Sequence, residues 1–336
     1  ECFYIEKELS ARMNIPVFHD DQHGTAIISS AALLNGLELV GKQIGEVKVA
    51  VSGAGAAAIA CLDVMVGLGV KRENIFVCDS KGVIHHERTD KLDASKQRYQ
   101  QTTTARTLAD AVDGADVFLG CSAPGVLTAD MVKTMADKPL ILALANPEPE
   151  IRPEVAKAVR PDCIIATGRS DYPNQVNNVL CFPYIFRGAL DCGATKITEA
   201  MKLACVRQIA DLAKAEISDE VAAAYPGREL RFGPDYLIPR IAPAVAEAAA
   251  ASGVAARPIA DLDAYRDSLS QFVTNTGLFM RPVFMTAKAN PKRIAYAEGE
   301  DERVLRAAQV VVDEGLAFPL LVGRPDVITT RIERAG

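Results

Sequence analysis

The stretch Val47-Lys48-Val49-Ala50-Val51-Ser52-Gly53-Ala54-Gly55-Ala56-Ala57-Ala58 decides the fold. Val47 to Ser52 reads as an apolar strand that runs into glycines, and Ala57 to Gly69 as a helix closed by Gly67 and Gly69. A Gly-x-Gly-x-x-Ala turn between strand and helix is a dinucleotide signature. The first glycine permits the tight turn, the second lets backbone approach a pyrophosphate, and the small third residue lets the helix pack on the sheet. Free N–H groups at the helix N-terminus then face the phosphates. Gly53, Ala54, Gly55, Ala56 and Ala57 are the candidate cradle. An acidic residue about 20 residues on completes the pattern, and Asp79 supplies it at the end of the next strand. The competing reading is a close-packed strand–helix turn with no ligand.

The alternation continues outward. Ile75 to Asp79, Val117 to Gly120, Leu140 to Ala145 and Ile164 to Thr167 read as strands, with helices predicted at 107–112 and around 131–135. Continuous apolar strands between helices indicate a parallel sheet covered on both faces. The predicted class is α/β, a doubly wound parallel Rossmann-type sheet. Upstream, Glu6 to Met13 reads as a helix, Ile15 to Phe18 as strand-like, and Ala26 to Leu37 as a helix rich in Ala, Ile and Leu. After Pro183 the strands give way to helices at 182–190, 198–214, 219–224, 243–252 and 261–273. Pro282 to Pro291 reads as a linker, with a boundary near residue 288. A new strand at 292–297 and a helix at 302–314 then open a second α/β domain.

Composition fits a globular chain with a real core. Of 336 residues, 49% are hydrophobic and 24% charged, so about two domains are expected. Net charge is −6 with no Lys/Arg stripe, which argues against binding nucleic acid through a basic surface. No apolar run is long enough to span a bilayer. The eight cysteines form no C-x-x-C pair and several sit in apolar runs, as reduced thiols of a cytosolic protein do. Both ends read as cut, so the expectation is a piece of a longer protein.

Three further features carry chemistry. Asp20-Asp21 stands between the strand-like run and a helix. Adjacent carboxylates repel and call for a cation, and oxygen ligands suit Mg²⁺ or Mn²⁺. Alternatively, Asp21 or Thr25 caps the helix. Ser80, Lys81 and Lys96 near Asp79 can hold a 2′-phosphate or simply line a solvated loop. Asn146, ahead of Pro147, falls at the ligand-binding edge of the sheet, and Asn177-Asn178 precedes an apolar helix. Each asparagine could equally be a turn or cap residue.

Phe18-His19-Asp20-Asp21-Gln22-His23-Gly24-Thr25-Ala26, Ser52 to Ala57, Leu144-Ala145-Asn146-Pro147 and Gln175-Val176-Asn177-Asn178-Val179 together resemble the malic enzyme family, in the family's order and over roughly residues 1 to 280. The likeness is to the bacterial NADP-dependent form. It implies oxidative decarboxylation of (S)-malate to pyruvate and CO₂, with NADP (NAD as the alternative) and Mg²⁺ or Mn²⁺. It implies that Asp21 ligates the metal and that Asp20 orients the catalytic lysine. Asn146 and Asn178 would contact substrate and nicotinamide, with Asn177 beside them as a substrate residue. Gly53 to Ala57 would cradle the pyrophosphate, with Asp79 at the ribose, and Ser80, Lys81 and Lys96 match positions that favour NADP. The family's base lysine and acid tyrosine fall before Glu1, so the chain as given is not expected to turn over malate. The runner-up readings are a malolactic or other NAD-dependent 2-hydroxy acid dehydrogenase, and a non-catalytic nucleotide-binding module. Residues 297–304 and 321–325 resemble the opening of a phosphate acetyltransferase domain, which implies an acetyl-CoA effector. The expected layout is 1–24 as the end of an N-terminal domain, 25–287 as the NAD(P)-binding domain with its C-terminal helices, and 288–336 as the start of the third. A cytoplasmic homo-oligomer, at least a dimer, is implied.

Overall fold

The computed structural model describes residues 2–169, 171–215, 231–238, 289–313, 315 and 317–335. The chain divides into two compact units, Glu1–Ala260 and Asp261–Gly336. The expected boundary near residue 288, and the helices expected at 219–224, 243–252 and 261–273, lie outside the described residues.

The first unit begins with α1 (Cys2–Arg12) and α2 (Asp20–Val40). The sheet units follow as β1 (Val49–Ser52), α3 (Ala56–Leu68), β2 (Ile75–Asp79), β3 (Gly82–Val83), α4 (Ala94–Gln97), α5 (Leu108–Val112), β4 (Val117–Gly120), α6 (Ala129–Thr134), β5 (Leu140–Ala143), α7 (Pro153–Val159) and β6 (Ile164–Thr167). The helices α8 (Phe182–Asp191) and α9 (Glu199–Leu212) follow, and the described segment 231–238 comes last in the unit. Strand order is β3-β2-β1-β4-β5-β6. All neighbours pair in parallel except the short β3, which turns back antiparallel on β2. The order reverses between β1 and β4, which pair from Val49↔Val117 to Ser52↔Gly120.

The core explains the double winding. Side chains alternate across a strand. Val49, Val51, Leu119, Leu142 and Ala166 therefore join one buried cluster with α2, α3 and α9. Ala50, Phe118, Ile141 and Ile165 join the other with α5, α6 and α7. The strands β1, β4, β5 and β6 are buried along their whole length, as a sheet covered on both faces requires. Of the eight cysteines, six are buried free thiols and Cys121 is partly exposed, matching the expectation of reduced thiols for all but Cys2, whose side chain lies outside the described set.

Four local readings are corrected. Ile15 to Phe18 forms no strand, because among the described residues no strand offers it backbone partners, and Ile15 stays exposed. The helix expected from Ala26 begins six residues earlier, so Asp20 and Asp21 form its first turn. Neither Asp21 nor Thr25 is the cap. His19 holds that position without a side-chain bond of its own, and Glu6 of α1 accepts its N–H at 3.0 Å instead. Finally, β5 ends at Ala143, which leaves Asn146 in the loop beyond it.

The second unit is described on its own terms. β7 (Lys292–Tyr296) and β8 (Ala317–Leu321) pair in parallel, joined through helix Glu302–Asp313, and helix Pro325–Ala335 follows. The strand and helix lie where the sequence predicts them, and β8 completes a βαβ unit.

Candidate active site

The carboxyl edge of the sheet collects most of the residues singled out from the sequence. The β1–α3 turn is built around Gly53, whose φ is +109°. A Cβ there would stand 2.5 Å from the Cys121 carbonyl oxygen at the end of β4. Gly53 N–H donates to Cys78 O at 2.8 Å, and Cys121 N–H to Ser52 O at 2.8 Å, so the turn is pinned from both neighbouring strands. Gly55 is the N-cap of α3, and a Cβ built on it would meet nothing within 4 Å. The space above the helix N-terminus is open, as a pyrophosphate cradle needs. Ala54, Ala56 and Ala57 line the same turn.

Asp79 ends β2, with Ser80 and Lys81 on the turn that follows. Asp79 Oδ1 accepts from Lys81 N–H and from Arg88 Nη1, both at 2.9 Å. Arg88 is nearly buried and also forks onto Asp90, with bonds of 2.8 and 2.6 Å. Lys81 Nζ reaches Asp90 at 3.2 Å. Burial alone would raise the Asp79 carboxyl, but the Arg88 bond, the Lys81 N–H and the charges of Arg88 and Lys96 outweigh it and hold it below its ordinary value. One oxygen of Asp79 is thus already engaged by a cation and a backbone N–H. Arg88 was missed in the sequence, where a basic residue in a polar loop carries no signal of burial.

The second centre is the head of α2. Asn178 Nδ2 donates to Asp20 Oδ2 at 2.5 Å and lies 3.5 Å from Asp21 Oδ1. Asn178 gets there because residues 174–176 run beside the carboxyl end of β6, through Val176 N–H to Thr167 O, and then turn inward. Gly24 makes the approach possible: a Cβ on it would stand 2.2 Å from Asp20 Oδ1 and 2.8 Å from Asn178 Cβ. Burial, and next the neighbouring Asp21 charge, push the Asp20 carboxyl above its ordinary value against the pull of His19. Asp20 Oδ1 is buried with no hydrogen-bond partner. An orphaned carboxylate oxygen beside a second carboxylate fits a cationic group. Among the described residues no cluster of three or more His, Cys, Asp or Glu that could hold a metal ion is present.

A charged chain supports this turn from below. His23 Nε2 meets Glu6 Oε1 at 2.7 Å, and Lys202 Nζ meets His23 Nδ1 at 2.9 Å and Glu199 at 2.8 Å. An ammonium only donates, so Nδ1 accepts and Nε2–H donates to Glu6. These groups border a groove of about 560 Å³ between α1, α4 and α9.

The asparagines separate by role. Asn178 joins the acidic pair. Asn177 caps the turn Asn178–Leu180, accepting Val179 N–H at 3.0 Å, which is the cap alternative left open for it. Asn146 is exposed in the β5 loop. Between the β4 and β5 loops stands a residue the sequence did not reveal. Glu150 is fully buried and accepts Ser122 N–H at 2.9 Å and Ala145 N–H at 3.0 Å.

A family model described as malic enzyme, NAD binding domain, matches residues 22–231, and one described as phosphate acetyl/butaryl transferase matches 278–336. The NADP-dependent malic enzyme of Escherichia coli is 61% identical over the whole chain, and so is the NAD-dependent malic enzyme of Rhizobium meliloti. The chain covers 46% and 45% of those two proteins, so it spans about half the length of the relatives it matches. Among solved structures, malic enzyme from Pyrococcus horikoshii superposes with a TM-score of 0.70 at 34% identity, over 84% of this chain and 66% of that one. Entamoeba histolytica malic enzyme gives 0.72 at 30%, over 99% and 64%. With a family model spanning more than half of its residues and relatives this similar, the chain belongs to the malic enzyme family.

Proposed function

We propose that the protein oxidatively decarboxylates (S)-malate to pyruvate and CO₂, with NADP as hydride acceptor. The observation that carries this reading is the Asp20–Asp21–Asn178 corner, standing at the same sheet edge as the open Gly53–Gly55 turn. A divalent cation, when bound, supplies Lewis-acid polarisation of the substrate oxygens. Asp21 is the residue proposed to ligate it, with Asn146 and Asn178 as the uncharged groups for malate and the nicotinamide amide. Asp20 is a positioning residue. Asn178 fixes one of its oxygens, and the orphaned Oδ1 is left to orient a lysine amine, which in its neutral form takes the hydroxyl proton and becomes an ammonium that Oδ1 then stabilises. The N–H groups at the start of α3 orient the pyrophosphate, which fixes where the nicotinamide ring lies.

NADP is favoured over NAD by charge. Relatives of equal identity are named for either cofactor, so overall similarity does not choose. Arg88 is shared between Asp79 and Asp90 and Lys81 also pairs with Asp90, so with Lys96 three cations face these two carboxylates. A 2′-phosphate would meet an attractive subsite instead of a bare carboxylate. The second unit is proposed as a regulatory domain responding to acetyl-CoA, and the assembly as a homo-oligomer of at least two copies in the cytoplasm. No helix among the described residues is long and apolar enough to cross a membrane.

Product analysis tests the reading. The intact protein, given (S)-malate, NADP and Mn²⁺, should release pyruvate and NADPH in equal amounts. Lactate without net NADPH would indicate malolactic chemistry and refute the proposal.

A further inference from the structure

Glu150 is the one fully exposure-free carboxylate among the described residues, at 0%. None of the described cations pairs with it. Its described donors are the Ser122 and Ala145 N–H groups, with the Ser122 hydroxyl at 3.5 Å. Its carboxyl lies against Gly120, where a Cβ would come within 2.3 Å of its Cδ. Ser122 Oγ in turn meets Ser52 Oγ at 2.8 Å, next to Gly53. The carboxylate thus ties together the ends of β1, β4 and β5. A buried charge without a counter-ion is costly, so such a carboxyl either takes up a proton or is met by an opposite charge.

The dinucleotide lies across the point where strand order reverses, here between β1 and β4. The adenosine half then belongs to the β1–β3 side and the nicotinamide half to the β4–β6 side. Glu150 sits beneath the two loops of that second half. The oxidised nicotinamide ring is cationic and loses its charge on accepting hydride.

We propose that Glu150 is the counter-charge of the nicotinamide subsite, a positioning residue that sets the Ser122 and Ala145 loops and stabilises the oxidised ring over the reduced one. The inference rests on the dinucleotide-binding reading of the Gly53 turn. Burial pushes the carboxyl upward, while an N–H group on each oxygen favours the ionised form that the proposal needs. No other described carboxylate links those loops.

Equilibrium titration of NADP⁺ and NADPH against the intact protein tests this. In wild type the oxidised form should bind about as tightly as the reduced form, or more tightly. In Glu150→Gln, affinity for NADP⁺ should fall relative to NADPH by about tenfold, the scale of one charge at moderate distance in a partly screened site. Glu150→Asp, which keeps the charge, should hold the ratio within about threefold of wild type. Equal weakening of both forms in Glu150→Gln would make Glu150 a mere prop and overturn the proposal. If that variant does not fold, the wild-type ratio still decides: binding of NADPH about tenfold tighter than NADP⁺ overturns it. Failure of wild type to bind either form would instead overturn the dinucleotide reading itself.

Discussion

Replacing Gly53 and Gly55 separately by alanine should break two different things. At Gly53 the backbone sits at φ +109°, outside the range that L side chains readily adopt. That strain costs about 1–2 kcal/mol. The added Cβ would also lie 2.5 Å from Cys121 O and 3.0 Å from Cys121 C, atoms of backbone that cannot swing aside. The Cys121 N–H bond to Ser52 O and the β1–β4 register hold them in place. Forced overpacking of this kind costs about 1–3 kcal/mol. Together the loss is about 3 kcal/mol, a fall of roughly 6–12 °C in melting temperature for a unit of this size. Gly55 has φ −83° and open space at its Cβ position, so Gly55→Ala should melt within about 2 °C of wild type. Its methyl group would instead occupy the approach of the pyrophosphate and weaken dinucleotide binding by at least tenfold, about 1.4 kcal/mol. Thermal melts and fluorescence titration with NADPH, run on both variants, separate the two effects. Wild-type stability of Gly53→Ala would refute the packing argument. Unchanged cofactor affinity in Gly55→Ala would refute the placement of the phosphates.

Other residues give independent expectations. Gly24→Ala drives a methyl group onto Asp20 Oδ1 and Asn178 Cβ, and a displacement of about 1 Å at that corner should lower kcat by about a hundredfold, read by steady-state kinetics. Arg88→Ala should lower the NADP-to-NAD preference by about tenfold in paired titrations, because it exposes the Asp79 charge to the 2′-phosphate. The same variant carries a pH signature. Asp79 is held below its ordinary value, so its pairing contributes stability above the unfolded value of about 3.9, and that contribution is lost as pH falls through the lowered folded value. The stability gap between wild type and Arg88→Ala, about 2 kcal/mol near neutrality, should therefore shrink on acidification in urea melts at several pH values. Asn35 is fully buried and donates to Ala210 O at 2.8 Å and Leu237 O at 2.7 Å, so Asn35→Ala strands two carbonyls and should cost about 2–3 kcal/mol in the same assay.

The fold was largely readable because its signals are local. The strand at 164–167 falls where the apolar run placed it, and α3 ends at Gly69 with the positive φ that a C-cap glycine supplies. What escaped depends on partners distant in sequence. Ile15 to Phe18 has strand composition but no strand to pair with among the described residues, while the two-residue β3 has little composition of its own and forms because β2 is beside it. The seven-residue α7 begins at Pro153, whose fixed φ suits a first helical turn, but it is too short to leave a clear periodicity. In the site, Asp20, Asp21 and Asn178 were legible as motifs, although 158 positions separate the hydrogen-bonded Asp20 and Asn178. Arg88 and Glu150 were not. A charged residue in a loop looks solvated until the folded chain buries it, and only the sheet edge shows that one offsets Asp79 and the other joins two loops.

Asp21→Asn in the intact protein tests the central claim most directly. Malate-dependent NADP reduction with Mn²⁺ and NADP affinity should be measured on the same preparation. The expected result is a rate at least a hundredfold lower, about 2.7 kcal/mol of lost transition-state stabilisation, with NADP affinity within about twofold of wild type. A rate close to wild type would contradict the placement of substrate and metal at the head of α2.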